Sequence, residues 1–178
     1  MLARAVEQRR AREKEPADTV VEKPELAPLP DLATIELPID SFIPQEYIQE
    51  PQFRFRLYRR MAGLTTLESV DEMAAELVDR FGSLPDEVDN LLFQIRVKAL
   101  ASRAGVQSIS PIDTQISIRV PGLESADRRA LQRQLGDQVR VSRQAVWLPW
   151  EKSWDSPWRV ALVQTLERLA DSRIQERL

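Results

Sequence analysis

SVDEMAAELVDRFGSLPDEVDNLLFQIRVKALASRAG, Ser69 to Gly105, is the stretch whose reading decides the architecture. Val70, Met73, Ala74, Leu77, Val78 and Phe81 recur at helical spacing and predict one buried stripe. Ser69 and Glu72 have the spacing of a capping box, and Gly82 stands where a positive-φ residue ends a helix. Pro85, Asp86 and Glu87 supply a proline and two acids suited to a first helical turn. Val88, Leu91, Leu92, Ile95 and Ala99 form the second stripe, closed by Gly105. The connection between the stripes is short, so the two helices are predicted to be neighbours.

Upstream, Ile35, Leu37 and Ile39 alternate with polar residues and Pro38, which predicts a half-buried strand at a sheet edge, since proline cannot donate to a ladder. Phe53, Leu57, Tyr58 and Met61 share a helical face that ends near Gly63. Further upstream, residues 15–30 hold four prolines among acids and alanines and read as an extended linker. Residues 1–14 read as a helix with sparse anchors, Leu2 and Val6, that would not be stable alone. A short helix followed by a linker suggests a piece of a longer protein.

Downstream, Val106–Ser110 and Gln115–Val120 flank Pro111-Ile112-Asp113 and predict a hairpin, followed by a Pro121-Gly122 turn. Ser125 is placed to cap a short helix that ends at Gly136. Gln138–Ser142 and Ala145–Trp150 form a second hairpin-like pair. Ser156 and Pro157 open a last helix with Trp158, Leu162, Leu166 and Leu169 inward. Helices mixed with adjacent strands, without βαβ alternation, predict an α+β domain over residues 31–178, with a helical hairpin packed on a small, mostly antiparallel sheet.

Composition narrows the chemistry. The chain has 178 residues, 43% hydrophobic and 30% charged, enough for one domain and a tail. It has no cysteine and no histidine, which removes disulfides, thiolate chemistry, the commonest zinc ligand and every Ser-His pair. None of its five glycines precedes a lysine, so no phosphate-binding loop is present. The acids sit on helix starts and solvent faces, where capping explains them better than catalysis. No catalytic residue, metal or cofactor is therefore expected. No apolar run reaches membrane-spanning length and the first residues are too charged for a signal peptide. The absence of cysteine fits a reducing cytoplasm, and the isolated chain is expected to be monomeric.

Charge is uneven. Residues 31–92 carry five basic and thirteen acidic groups, whereas residues 93–178 carry fourteen basic and nine acidic. The halves attract each other, face different partners, or are solvated faces of one domain. Trp147, Trp150, Trp154 and Trp158 lie near Arg143, Lys152 and Arg159. These rings either pack the second hairpin onto the last helix or offer a stacking platform for a single strand, which together with the basic second half would make the alternative reading a nucleic-acid-binding module.

Three segments in order carry a resemblance: IPQEYI at Ile43–Ile48, RFRLYRRMA at Arg54–Ala62, and ELVDRFGSLP at Glu76–Pro85, followed by the helix through Val97-Lys98-Ala99. Together they resemble the C-terminal domain of bacterial transcription-repair coupling factors, well over residues 31–120 and only in element pattern beyond. Residues 1–14 resemble the helix that follows the RecG-like motor of that family. The resemblance implies a non-catalytic domain of a parent that is an ATP-driven DNA translocase. Such a parent displaces stalled RNA polymerase from DNA and recruits UvrA through a UvrB-like module. It further implies that this domain docks on that module and masks the UvrA-binding surface. Glu76, Asp79 and Arg80 match the family's docking positions. They lie off the apolar stripe, which is compatible with an outward role; a Glu76–Arg80 helix pair is the plainer alternative. An acid at Asp79, near the helix end, opposes the dipole and so breaks a local stability rule. Arg54, Arg56, Arg59 and Arg60 read as a solvated face or as packed against the acidic half, with phosphate contact as the lesser alternative.

Overall fold

One long helix with two buried faces organises the chain. The computed structural model describes residues 33–123, 126–151 and 157–176. The helix expected over 1–14 and the linker over 15–30 lie outside these. Elements follow in the order β1 (Thr34–Ile35), α1 (Pro51–Ala62), α2 (Leu67–Phe81), α3 (Asp86–Arg103), β2 (Ser108–Ile112), β3 (Gln115–Arg119), α4 (Arg128–Leu135), β4 (Arg140–Val141), β5 (Ala145–Pro149) and α5 (Trp158–Glu176). The sheet order is β1-β2-β3-β5-β4. Only the β1–β2 pair is parallel, so the fold is α+β with a mostly antiparallel sheet, as the pattern predicted.

Two apolar clusters form. The first joins Ile43, Ile48, Leu57, Met61, Val70, Met73 and Leu77 with Val88 and Leu92 from the first half of α3. The second joins Val97, Leu100 and Ala101 from the second half of α3 to the sheet residues Ile109, Ile116, Ile118, Val146 and Leu148 and to Leu162 and Leu166 of α5. The stripe read from the sequence captured only the first half of this arrangement. Val97, Leu100 and Ala101 were missed because α3 changes its buried face where it passes from the helices to the sheet. Its net amphipathicity is correspondingly weak, since apolar residues go almost all round a doubly packed helix.

The segments that carry the resemblance have structural work to do. The Ile43 N–H donates to the Tyr58 hydroxyl at 2.7 Å. The Tyr47 hydroxyl donates to the Leu77 carbonyl at 3.1 Å and lies 3.3 Å from that of Gly82, which ties the loop before α1 to the end of α2. Burial raises the Tyr47 pKa above that of a free phenol. Arg54 donates to the Ile48 and Gln49 carbonyls at 2.6 and 3.0 Å and clamps the loop before α1. It is therefore half-buried rather than part of a solvated face.

Several boundaries shift. The first strand stops at Ile35; beyond it Leu37 and Ile39 pack on the second cluster without ladder bonds, ahead of and behind Pro38. Thr66, not Ser69, caps α2: its hydroxyl accepts from the Ser69 N–H at 3.2 Å. Val78 is 47% exposed rather than buried. At 3.6 residues per turn it lies roughly 80° from Val70, past the edge that α1 and α3 cover. The first hairpin turns at Asp113-Thr114, with Pro111 and Ile112 still inside β2. Asp127 caps α4 by accepting from the Arg129 and Ala130 N–H groups; Ser125, the cap expected from sequence, is outside the described residues. The α5 stripe of Trp158, Leu162, Leu166 and Leu169 is buried as expected.

Candidate functional site

Helix α2 presents its outer ridge to solvent, and the three candidate residues have different fates there. Glu76 is tied on both sides. Its carboxylate accepts from Arg60 of α1 at 2.6 Å and from Arg80, one turn on, at 3.0 Å. Hydrogen bonds from Arg60 first, then from Arg80, lower the Glu76 pKa below the ordinary glutamate value. Arg80 is also stacked: its guanidinium lies 5.4 Å from the Phe53 ring and 5.7 Å from the Phe81 ring. Phe53 and Phe81 meet at 5.6 Å, and Tyr47 meets Phe81 edge-on at 5.8 Å. Arg80 thus roofs an aromatic cluster that joins α1 to the end of α2. Its positive charge also suits the last turn of a helix.

Asp79 is exposed and forms no ion pair with any described residue. The same holds for Glu68 and Glu72 on the same ridge. Ala75 and Val78 are exposed between them. Asp71, at the flank, is held by Arg96 of α3. The structure therefore splits the candidate set. Glu76 and Arg80 belong to an α1–α2 tie, whereas Asp79 stands with Glu72, Val78 and Ala75 on an unpartnered acidic ridge with a small apolar centre. Sequence reasoning missed Glu72 and Val78. Glu72 was assigned to a capping box, and Val78 matched the stripe.

The arginines of α1 are likewise sorted. Arg60 holds Glu76, and Arg56 stacks 5.3 Å from the Phe53 ring. Arg59 is exposed. The tryptophans divide too. Trp158 is buried against Phe93 at 5.8 Å and meets Trp150 at 6.5 Å, so these two pack the hairpin onto α5. Arg159 bonds Asp89 and Asn90 and lies over Phe93, which uses it internally. Trp154 and Lys152 lie outside the described residues. Among the described residues no group of three acids approaches metal-holding geometry, and no helix is long and apolar enough to cross a membrane.

A family model described as the TRCF domain matches residues 37–131, which include both the aromatic cluster and the acidic ridge. The transcription-repair-coupling factor of Staphylococcus epidermidis is 33% identical over 118 residues, 66% of this chain. That of Rickettsia prowazekii is 32% identical over 88 residues, 49% of this chain, and that of Bacillus subtilis 29% over 93 residues, 52% of this chain. The matched region spans only 9% of the first relative and 8% of the other two. A crystal structure of the C-terminal domain of a transcription-repair coupling factor superposes with a TM-score of 0.66 at 20% identity, covering 82% of this chain and 95% of that one. That likeness is one of fold.

Proposed function

The chain belongs to the TRCF domain family, and on that premise we propose that it is a non-catalytic regulatory lid within a larger transcription-repair coupling factor. In this reading the α2 ridge docks on a UvrB-like module of the same parent and masks the surface that recruits UvrA. The parent supplies the ATP-driven contacts with DNA and RNA polymerase. The observation that supports docking is the exposed ridge itself: Glu72 and Asp79 form no ion pair among the described residues, and Val78 lies 47% exposed beside them. An exposed valine flanked by unpaired acids suits a basic surface with a shallow apolar centre.

The split among the three residues refines the lid. Asp79 makes the direct contact, while Glu76 and Arg80 hold the ridge in place through α1. A lid must open, so its docking advantage is small, of the order of a few kcal/mol, which a modest polar interface provides. Docking lowers the open population, and UvrA binds the open form.

The test uses full-length parent protein in a UvrA pull-down, with the wild type beside Asp79→Ala. UvrA capture is expected to rise in the variant, because an uncompensated basic partner weakens docking. Thermal melting of the present chain should be unchanged by Asp79→Ala, within about 1 kcal/mol, since an exposed unpaired group contributes little. Unchanged UvrA capture by a folded variant would remove Asp79 from the contact. Loss of folding would make the ridge a structural feature.

A further inference from the structure

Among the described residues the helices cover one side of the sheet; on the other side the small Ser117 and Ala145 are buried, whereas the larger side chains are half-buried or exposed. Ile109, Ile116, Ile118, Val146 and Leu148 point inward under α3 and α5 and are almost wholly buried. Strand alternation sends their neighbours to the opposite face. One row across that face aligns Ser108, Arg119 and Ala145. The next aligns Ser110, Ser117, Trp147 and Arg140. The last aligns Ile112, Gln115 and Pro149, and Ile112 is 45% exposed. No strand position on this face carries an acid.

The charged residues on this face are free for other work. Arg119, Arg140 and Arg143 are exposed and form no ion pair among the described residues. Arg140 stacks 5.6 Å from the half-buried Trp147 ring. The Trp147 indole N–H donates to the Ser142 hydroxyl at 3.2 Å, which sets the ring's position. Beside it a polar cleft of about 230 Å³ opens between the end of β3 and the β4–β5 turn, with Arg119, Arg143, Gln107 and Gln144 in its walls. This differs from Trp150 and Trp158, which are spent in packing.

We infer that this open face binds single-stranded nucleic acid, with bases stacking on the Trp147–Arg140 pair and a phosphate seated between Arg119 and Arg143. An aromatic ring and a guanidinium on a sheet offer every base a planar surface, whatever its identity. Unpaired arginines along the same face draw the phosphate backbone by counterion release. A duplex keeps its bases stacked within itself and cannot use the ring, so the face selects single strands. The face lies on the sheet, away from the α2 ridge, and does not depend on the lid.

The experiment is fluorescence anisotropy of the full chain with a labelled oligothymidylate and with a duplex of equal length, at low and at physiological salt. Single strand should bind more tightly than duplex, and salt should weaken both. Trp147→Ala should lower single-strand affinity by roughly tenfold or more, while Trp147→Phe keeps most of it. Arg119→Glu combined with Arg143→Glu should also cost roughly tenfold or more. These two exposed, unpaired residues carry the test if Trp147→Ala melts early. The inference is overturned by absence of binding at low salt, by equal affinity for duplex, or by folded variants that bind like the wild type. It is equally overturned if the double charge reversal releases another domain of the parent and no oligonucleotide binds, which would make the face a protein contact.

Discussion

Leu77→Ala is expected to open the α1–α2 half of the molecule while leaving the sheet half protected. Leu77 is 1% exposed and packs within the cluster that includes Leu57, Met61, Val70, Val88 and Leu92. Removing the branch beyond Cβ forfeits roughly 2 to 2.5 kcal/mol of transfer free energy at about 0.8 kcal/mol per carbon. The cavity adds to this, because helices pinned on three sides collapse only partly, and the total falls in the range of about 2–5 kcal/mol. Urea denaturation gives the magnitude. Hydrogen exchange read peptide by peptide gives the location: protection should fall across residues 51–81 and remain in β2, β3 and β5. That asymmetry follows from the two clusters, which meet along α3 and share no buried residue. A loss below about 1 kcal/mol would refute the packing assigned to Leu77. Equal loss of protection in both halves would refute two separable cores and show that α3 couples them into one unit.

Two further outcomes follow from the same region. Gly82 has φ 86° and ψ −160°, a conformation nearly confined to glycine, although its added Cβ would meet nothing within 4 Å. Gly82→Ala should therefore cost about 1–3 kcal/mol through backbone strain alone, seen as a lower melting temperature; no change would show that the chain relaxes there freely. For Glu76, the folded pKa is lowered by Arg60 and Arg80, so its contribution is complete above the ordinary glutamate value, about 4.3. It should be lost as pH falls through the lowered folded value. Melting of the wild type and Glu76→Gln should differ near neutrality and converge in acid, and a gap that persists in acid would show that the tie does not depend on the carboxylate charge.

The sequence alone determined the elements whose evidence is local. Helical periodicity located α1, α2 and α5 and the start of α3, because a buried stripe must repeat with the turn of the helix wherever the partner lies. Alternation and turn residues located the two hairpins, and the ordered segments from Ile43 to Pro85 carried the family. Composition removed whole classes of chemistry. Residues at the margins of a stripe were beyond its reach. Val78 and Leu77 are adjacent and both apolar, and only the placement of α1 and α3 decides that one is bare and the other sealed. Glu76, Asp79 and Arg80 looked equivalent as outward polar groups; Arg60 and Phe53, brought close only by folding, separate the tied pair from the free acid. Likewise Trp147 and Trp158 lie in one short stretch, yet strand register sends the first to the open face and helix packing buries the second. Period specifies which residues share a face of their own element, but burial and pairing depend on which other element covers that face, and that is settled only when distant segments meet.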